Sequence, residues 1–189
     1  MRFVINLVAF QLGWLACVLA GAHEMPWLGV GLASVIVALH LRLATRPAIE
    51  LWLLLAVAGI GSLWDGLLVG LGLVAYPSGM VAAWLPPIWM MALWLVFATT
   101  LNVALRWLRG RWVLAALLGA VGGPFAFYTG SQLGGVVFVD IAAALPIIGA
   151  GWLVMTPLFV WLAERLDGQA TVEHSTTVPT MLVEADRRA

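Results

Sequence analysis

The fold is decided by the stretch Ala48–Leu73, which reads AIELWLLLAVAGIGSLWDGLLVGLGL. Only Glu50 and Asp65 place a charge in this apolar run. A helix that crosses a hydrocarbon core of about 30 Å needs roughly 20 largely apolar residues, because each residue rises 1.5 Å. The stretch therefore predicts one membrane-spanning helix.

The whole chain of 189 residues has the same character, with 63% hydrophobic and 10% charged residues and a mean hydropathy of +1.05. Soluble domains have about 45–50% apolar and about 25% charged residues. Such a chain cannot hide its apolar surface in one water-soluble core. Soluble enzymes, secreted disulfide scaffolds, disordered proteins and coiled coils are excluded.

Charge and cysteine content exclude further classes of function. Nine Arg and nine acidic residues cancel, and the arginines are scattered, so we expect no nucleic-acid partner. Cys17 is the sole cysteine and the three histidines are widely spaced, so the sequence predicts no metal site and no cofactor. The absence of Lys beside many Ala, Gly and Arg hints at a GC-rich bacterial genome.

The fold class that follows is all-α: a polytopic membrane helix bundle of about six transmembrane helices. The predicted spans are Phe3–Gly21, Met25–Leu43, Ala48–Leu73, Pro87–Leu108, Trp112–Thr129 and a last span ending near Leu166. Residues 1–166 form the transmembrane domain in this interpretation. Residues 167–189 are polar and lack helical periodicity, so we expect a disordered cytoplasmic tail.

Arginine positions predict the orientation, because basic residues near span ends stay in the cytoplasm. All nine fall at span ends or in loops on one side of the predicted bundle: Arg2, Arg42, Arg46, Arg106, Arg109, Arg111, Arg165, Arg187 and Arg188. Both termini are therefore expected in the cytoplasm, in a multi-pass protein of the bacterial cytoplasmic (inner) membrane.

Two segments leave alternatives open. The run from Val136 to Leu166 is too long for one upright helix and contains Pro146 and Pro157. It forms either one kinked helix or a half-helix over Val136–Leu145 followed by the true span. The first span mimics a cleavable signal up to Ala22, although its apolar run is long enough to cross, so we expect it to be retained.

Ionisable groups within a span are costly and mark functional sites by default. Asp65 lies in the outer half of the third span, and Asp140, Tyr128 and Gln132 fall near the same depth. We expect these residues and Trp64 to line an outward-facing, ligand-binding polar pocket. The candidate catalytic residues are Asp65, Asp140 and Tyr128. The alternative is that these groups satisfy one another as interhelical hydrogen bonds.

We interpret the other polar residues within or near the spans as structural. His40 and Glu50 flank an arginine loop at the inner interface, where snorkelling and pairing with Arg explain them. Asn102 is expected to make a helix-to-helix hydrogen bond. Gly122-Gly123-Pro124 interrupts the fifth span, and close helix packing is favoured over a backbone site for a ligand.

Four groups of residues carry a resemblance to a known family: Asn6 with Gln11-Leu12-Gly13-Trp14, Trp64-Asp65-Gly66, Pro87-Ile88-Trp89-Met90 with Leu93-Trp94, and Gly122-Gly123-Pro124 through Tyr128 and Gly130. With these residues the chain resembles a bacterial family of small integral membrane proteins labelled domain of unknown function 2878. The resemblance spans nearly everything before the tail. It implies a polytopic inner-membrane protein and supplies no catalytic residues.

Three functional hypotheses remain. The first is a protein that binds or transports a small or lipid-like molecule through the pocket around Asp65, with membrane lipids and a homodimer or another membrane protein as partners. The second is an intramembrane enzyme of lipid or fatty-acid modification that uses Asp65 and Asp140 as acid and base. The third is a structural or assembly subunit of a membrane complex.

Overall fold

A computed structural model describes residues 1–169 and shows a bundle of six helices. Five of them are long and apolar enough to cross a membrane, which confirms the all-α polytopic fold class. The helices are α1 (Arg2–Ala22), α2 (Pro26–Leu43), α3 (Pro47–Gly70), α4 (Ile88–Leu101), α5 (Trp112–Gln132) and α6 (Ile141–Arg165).

Helix ends follow local sequence rules. Pro26 and Pro47 open α2 and α3, where the missing amide hydrogen costs nothing and the fixed φ suits the first turn. Gly110 has a φ of +70° directly before α5, a backbone conformation that L side chains rarely adopt. Asp140 caps α6 by accepting hydrogen bonds from the amides of Ala142 and Ala143.

The helix α4 is shorter than the predicted span Pro87–Leu108, because it ends at Leu101 and is followed by turns and a single 3-10 turn, Arg106–Leu108. The hydroxyls of Thr99 and Thr100 bond the carbonyls of Val96 and Phe97, which competes with the helical pattern. Most residues of α4 are buried, so protein rather than lipid surrounds it. A helix shielded in this way need not span the bilayer by itself.

The bundle has two parts. The helices α1, α2, α3 and α4 pack on one another with α4 in the middle, and α5 packs mainly against α6 as a helical hairpin. The hairpin makes far fewer contacts with α3 and α4 than its two helices make with each other. A cavity lies along this division.

Continuous helices replace the expected interruptions in the hairpin. The helix α5 runs through Gly122-Gly123-Pro124 without a break, and a Cβ atom at Gly123 would overlap the ring of Trp152 on α6. The close-packing interpretation of these glycines is thereby confirmed at Gly123. The helix α6 likewise runs through Pro146 and Pro157, so the half-helix alternative over Val136–Leu145 is wrong.

Two short strands join the parts at one end. Strand β1 (Val74–Ala75) follows α3, strand β2 (Val137–Phe138) precedes α6, and they pair antiparallel with Val74 opposite Phe138. Pairing satisfies backbone groups that would otherwise be exposed where α3 and α5 end. Val136, the residue before β2, is buried against the core.

The seven arginines of the described residues lie at the other end, here called the arginine-rich end. The segment Asp167–Gln169 is held there, since the amide of Arg46 bonds the carbonyl of Gly168 at 2.8 Å. These three residues follow α6 and pack against the bundle, and the domain boundary at Leu166 stays a prediction. The rest of the predicted tail, residues 170–189, lies outside the described residues.

Candidate functional site

A cavity of about 530 Å³ lies between the two parts of the bundle. Its walls come from α1, α4, α5 and α6, and from the turn at Leu105 to Leu108. Ligand cavities in proteins have volumes of about 300–1,000 Å³. The volume is therefore sufficient for a small ligand or one chain of a lipid.

Aromatic rings form the deep wall of the cavity. The indole of Trp94 on α4 stacks on that of Trp152 on α6, with ring centroids 5.1 Å apart and an interplanar angle of 22°. Phe97 meets both rings edge-on at 5.7 and 5.5 Å, and buried Phe159 lies behind them. Offset stacking and edge-to-face contacts are the geometries that aromatic quadrupoles favour. These rings connect the two parts of the bundle.

The rim of the cavity lies on α1 and α5. Leu118, Gly122 and Phe125 share one face of α5, and Leu118 and Phe125 are exposed side chains. A Cβ atom at Gly122 would meet nothing within 4 Å. Gln11 of α1 is exposed on the opposite rim. The cavity therefore opens sideways, through the outer surface of the bundle.

The cavity is elongated along the bundle. Its lining on α5 runs from Leu118 to Gly130, which is about 18 Å at a rise of 1.5 Å per residue. Leu105 and Leu108 line the end near the arginines, and Val136 lines the other end. This shape suits an extended apolar chain parallel to the helices.

Asp65 lies behind the cavity wall and is fully buried. Its Oδ2 accepts a hydrogen bond of 2.6 Å from Nε1 of Trp94. Gly61, one turn earlier on α3, packs against the same indole, and a Cβ atom there would overlap it. The carboxylate and the glycine together fix the position of the ring that lines the cavity.

A second buried polar group lies near Asp65. The hydroxyl of Tyr76 and Oδ1 of Asp65 are both buried, and neither has a hydrogen-bond partner among the described residues. Burial, and then the negative charge of Asp65, raise the pKa of Tyr76 well above its ordinary value. The phenol therefore keeps its proton at neutral pH and can act as a donor.

The structure does not bring the five predicted ligand-binding residues together. Asp65 is bonded to Trp94, whereas Asp140 is exposed and caps α6. Tyr128 is 44% exposed and Gln132 is also exposed, and no hydrogen bond within residues 1–169 joins either side chain to Asp65 or Asp140. Trp64 instead packs on Gly151 of α6. A catalytic role for Asp65, Asp140 or Tyr128 stays a prediction.

Glu50, His40 and Asn102, for which the sequence predicts structural roles only, form a buried network at the arginine-rich end. Glu50 of α3 is fully buried; its Oε1 lies 2.7 Å from Nε2 of His40, and its Oε2 accepts from Nδ2 of Asn102 at 2.8 Å. The amide of Gly168 also donates to Oε2, at 3.1 Å. A buried carboxylate needs hydrogen-bond donors, and Asn102 and the amide of Gly168 supply two of them to Glu50.

A carboxylate held by two arginines lies next to this network. Oδ2 of Asp167 accepts from Nη2 of Arg106 at 2.6 Å and from Nη1 of Arg109 at 2.8 Å. Arg109 also donates to Oδ1 of Asn102 at 2.5 Å and to the carbonyl of Ala163 at 3.1 Å. Arginine, asparagine and the two carboxylates thus tie α3, α4 and the end of α6 together.

One sequence signal pointed to this network. Glu50, Asn102 and Arg109 all fall near the ends of apolar spans on the arginine side, so they share one depth in the membrane. Sequence periodicity gives no order of helices around the bundle, so it cannot show that they meet. Within residues 1–169, no group of three His, Cys, Asp or Glu residues could hold a metal ion.

The geometry defines a class of protein: a polytopic membrane helix bundle with a laterally open, aromatic-lined apolar cavity. Within that class the chain belongs to the family described as Protein of unknown function (DUF2878), whose model matches residues 3–158. The family resemblance seen in the sequence is thereby confirmed. No curated protein and no solved structure matches the chain.

Proposed function

We propose that this protein binds one apolar chain of a lipid-like molecule in the cavity between α1, α4, α5 and α6. The observation that carries the proposal is the elongated cavity of about 530 Å³ with aromatic walls and a lateral rim. The proposal keeps the lipid-like ligand of the first hypothesis. It moves the binding site from a polar pocket around Asp65 to the apolar cavity in front of it.

The chemistry of the lining supports binding of a hydrocarbon chain. Most lining side chains are aromatic or aliphatic, and the non-aromatic polar ones are Gln11, Thr129 and Thr156. Removing apolar surface from water is favourable by about 25 cal/mol per Å², but inside a bilayer that gain is absent. Affinity must therefore come from close packing against a preformed wall, which the fixed rings of Trp94 and Trp152 provide.

The lining supports binding over acid and base catalysis. None of the lining residues, all within 1–169, carries a carboxylate, an imidazole or a thiol. A general acid or base must come within hydrogen-bond reach of the proton that it transfers. Asp65 is separated from the cavity by the Trp94 ring, so its proposed part is to position that ring.

The rim supports access from the lipid phase. Gly122 leaves a notch between Leu118 and Phe125 on α5, and α1 is not closely packed on α5 within the described residues. We also propose that the protein lies in the bacterial cytoplasmic membrane with its arginine-rich end in the cytoplasm, by the positive-inside rule. A homodimer would supply the additional helices that a transport path needs.

Photolabelling in vesicles tests the binding proposal. The full chain is reconstituted with phosphatidylcholine that carries a diazirine in the middle of one acyl chain, and labelled residues are mapped by mass spectrometry. We expect labels on the cavity lining of α1, α4 and α6, at residues such as Trp14, Phe97 and Trp152. Labels confined to side chains on the outer surface would contradict the proposal.

A matched pair of variants sharpens this test. Gly122→Leu fills the notch at the rim, whereas Gly59→Leu places the same side chain on α3 away from the cavity. Neither added Cβ atom meets a neighbour within 4 Å, so both variants can fold. We expect Gly122→Leu to remove cavity labelling and Gly59→Leu to retain it. Equal labelling in the two variants would count against lateral access.

A further inference from the structure

We propose that the ligand of this cavity is an anionic amphiphile, whose head binds the guanidinium pair of Arg106 and Arg109 in place of the carboxylate of Asp167. This inference rests on the proposed function, because it places the head of the molecule whose chain occupies the cavity. The chemistry of the head is that of a carboxylate or a phosphate.

The turn around Arg106–Leu108 lies close to the proposed positions of both the chain and the head of such a ligand. Leu105, Trp107 and Leu108 line the arginine-side end of the cavity, and Arg106 and Arg109 belong to the same 3-10 turn and its C-terminal flank. Residues three apart eclipse one another in this geometry. The leucines therefore share one face of the turn, Trp107 takes a second face, and the arginines share the third, which does not line the cavity. The proposed head lies beyond this turn, where a chain that leaves the cavity past the leucines can reach the guanidinium groups.

The arginine pair already holds an anionic oxygen. A single atom, Oδ2 of Asp167, lies 2.6 Å from Nη2 of Arg106 and 2.8 Å from Nη1 of Arg109. Arginine binds carboxylates and phosphates through the same fork of N–H donors. Asp167 therefore occupies the position that an oxygen of the ligand head would take.

Arg106 is the more accessible member of the pair. Its side chain is 41% exposed, whereas those of Arg109 and Asp167 are 22% and 11% exposed. Nε of Arg109 is buried and has no hydrogen-bond partner among residues 1–169. Asp167 is the only acidic side chain bonded to Arg106 or Arg109 in this part of the chain. Removing its charge leaves two guanidinium groups, beside the turn that lines the end of the cavity, without a bonded carboxylate.

Competition against the photolabel tests the proposal with three probes of equal chain length: a saturated fatty alcohol, the corresponding fatty acid and the corresponding lysophosphatidic acid. The variants are Arg106→Gln and Asp167→Asn. The control is Arg165→Gln, whose side chain stacks on Trp161 and does not line the cavity. Thermal unfolding of each variant accompanies the measurement.

Opposite shifts are expected from the two variants. Arg106→Gln should weaken the anionic probes about tenfold, because a hydrogen bond to a charged group is lost, and Asp167→Asn should strengthen them severalfold. The alcohol should compete equally with all variants and with the control. A response of the fatty acid alone, or of lysophosphatidic acid alone, assigns the head as carboxylate or phosphate, and both results support the proposal.

The experiment separates failure of the headgroup proposal from failure of the chain-binding proposal. If the alcohol competes but neither substitution changes the anionic probes relative to it, the headgroup proposal is wrong and chain binding stands. If Asp167→Asn weakens every probe together with thermal stability, Asp167 is only a structural tie and the proposal is again wrong. If no probe competes in the unmodified protein, the proposed function itself fails.

Discussion

At the scale of residues, the hydrogen bond between Asp65 and Trp94 connects a buried carboxylate to the cavity wall. Asp65→Leu leaves the buried indole N–H without an acceptor, which costs about 1–3 kcal/mol of stability. Asp65→Asn keeps an acceptor oxygen and should cost less. We expect this order in unfolding of the detergent-solubilised protein, together with weaker photolabelling in Asp65→Leu. Equal stability of the two variants would show that the bond is not what holds Trp94.

Glu50 makes a second prediction at this scale. It accepts hydrogen bonds from Asn102 and from the amide of Gly168, and it pairs with His40. Glu50→Leu should destabilise the protein by about 1–3 kcal/mol for each buried donor that it leaves without an acceptor, here Nδ2 of Asn102 and the amide of Gly168. Hydrogen exchange should rise first at Gly168.

Glu50→Gln is the matched comparison, because its amide oxygen can still accept from Asn102 or Gly168. We expect exchange at Gly168 close to that of the unmodified protein in this variant. Rapid exchange in both variants would mean that the negative charge, and not the acceptor, retains the segment after α6.

At the scale of elements, two glycines on α3 differ in what surrounds them. A Cβ atom at Gly61 would overlap the ring of Trp94, whereas one at Gly59 meets nothing within 4 Å. Gly61→Ala should cost about 1–3 kcal/mol by overpacking and displace Trp94. Gly59→Ala should be neutral or stabilising by up to about 1 kcal/mol, since alanine favours helices. Unfolding measurements on the pair decide this, and a stabilised Gly61→Ala would contradict the packing described here.

The lengths of the helices explain which elements could be predicted. Five spans could be predicted because a helix that crosses the bilayer needs a long apolar run. Three of these helices begin at or just after Pro26, Pro47 and the turn at Gly110. The early end of α4 could not be predicted, because the apolar run resumes after Asn102 with Val103-Ala104-Leu105. The hydroxyls of Thr99 and Thr100 bond backbone carbonyls near that end, and neighbouring helices shield it.

At the scale of the whole molecule, the candidate site depended on helix order, which one sequence does not contain. Asp65 is buried, and its hydrogen-bond partner is Trp94 and not Tyr128 or Gln132. Similarly, Glu50 and Asn102 are far apart in sequence, and only their side chains on adjacent helices bring them together. The sequence therefore identifies the polar residues within apolar spans, but it does not identify their hydrogen-bond partners.

The distribution of arginines makes one prediction for the whole molecule. Seven arginines lie at one end of the described bundle, and the positive-inside rule predicts that this end faces the cytoplasm. A reporter active only in the cytoplasm should be active when inserted at Gly110 and inactive when inserted at Gly79. The opposite pattern would invert the orientation proposed here.

The strand pair β1 and β2 has a consequence for how the bundle moves. It fastens the hairpin of α5 and α6 to the rest at one end, while the salt bridges of Asp167 fasten the opposite end. Between these two ends, the stacked rings of Trp94 and Trp152 also hold the hairpin to α4. With the hairpin restrained at three levels, we expect a ligand to enter by side-chain movement at the rim around Gly122 and without separation of the whole hairpin from the other helices.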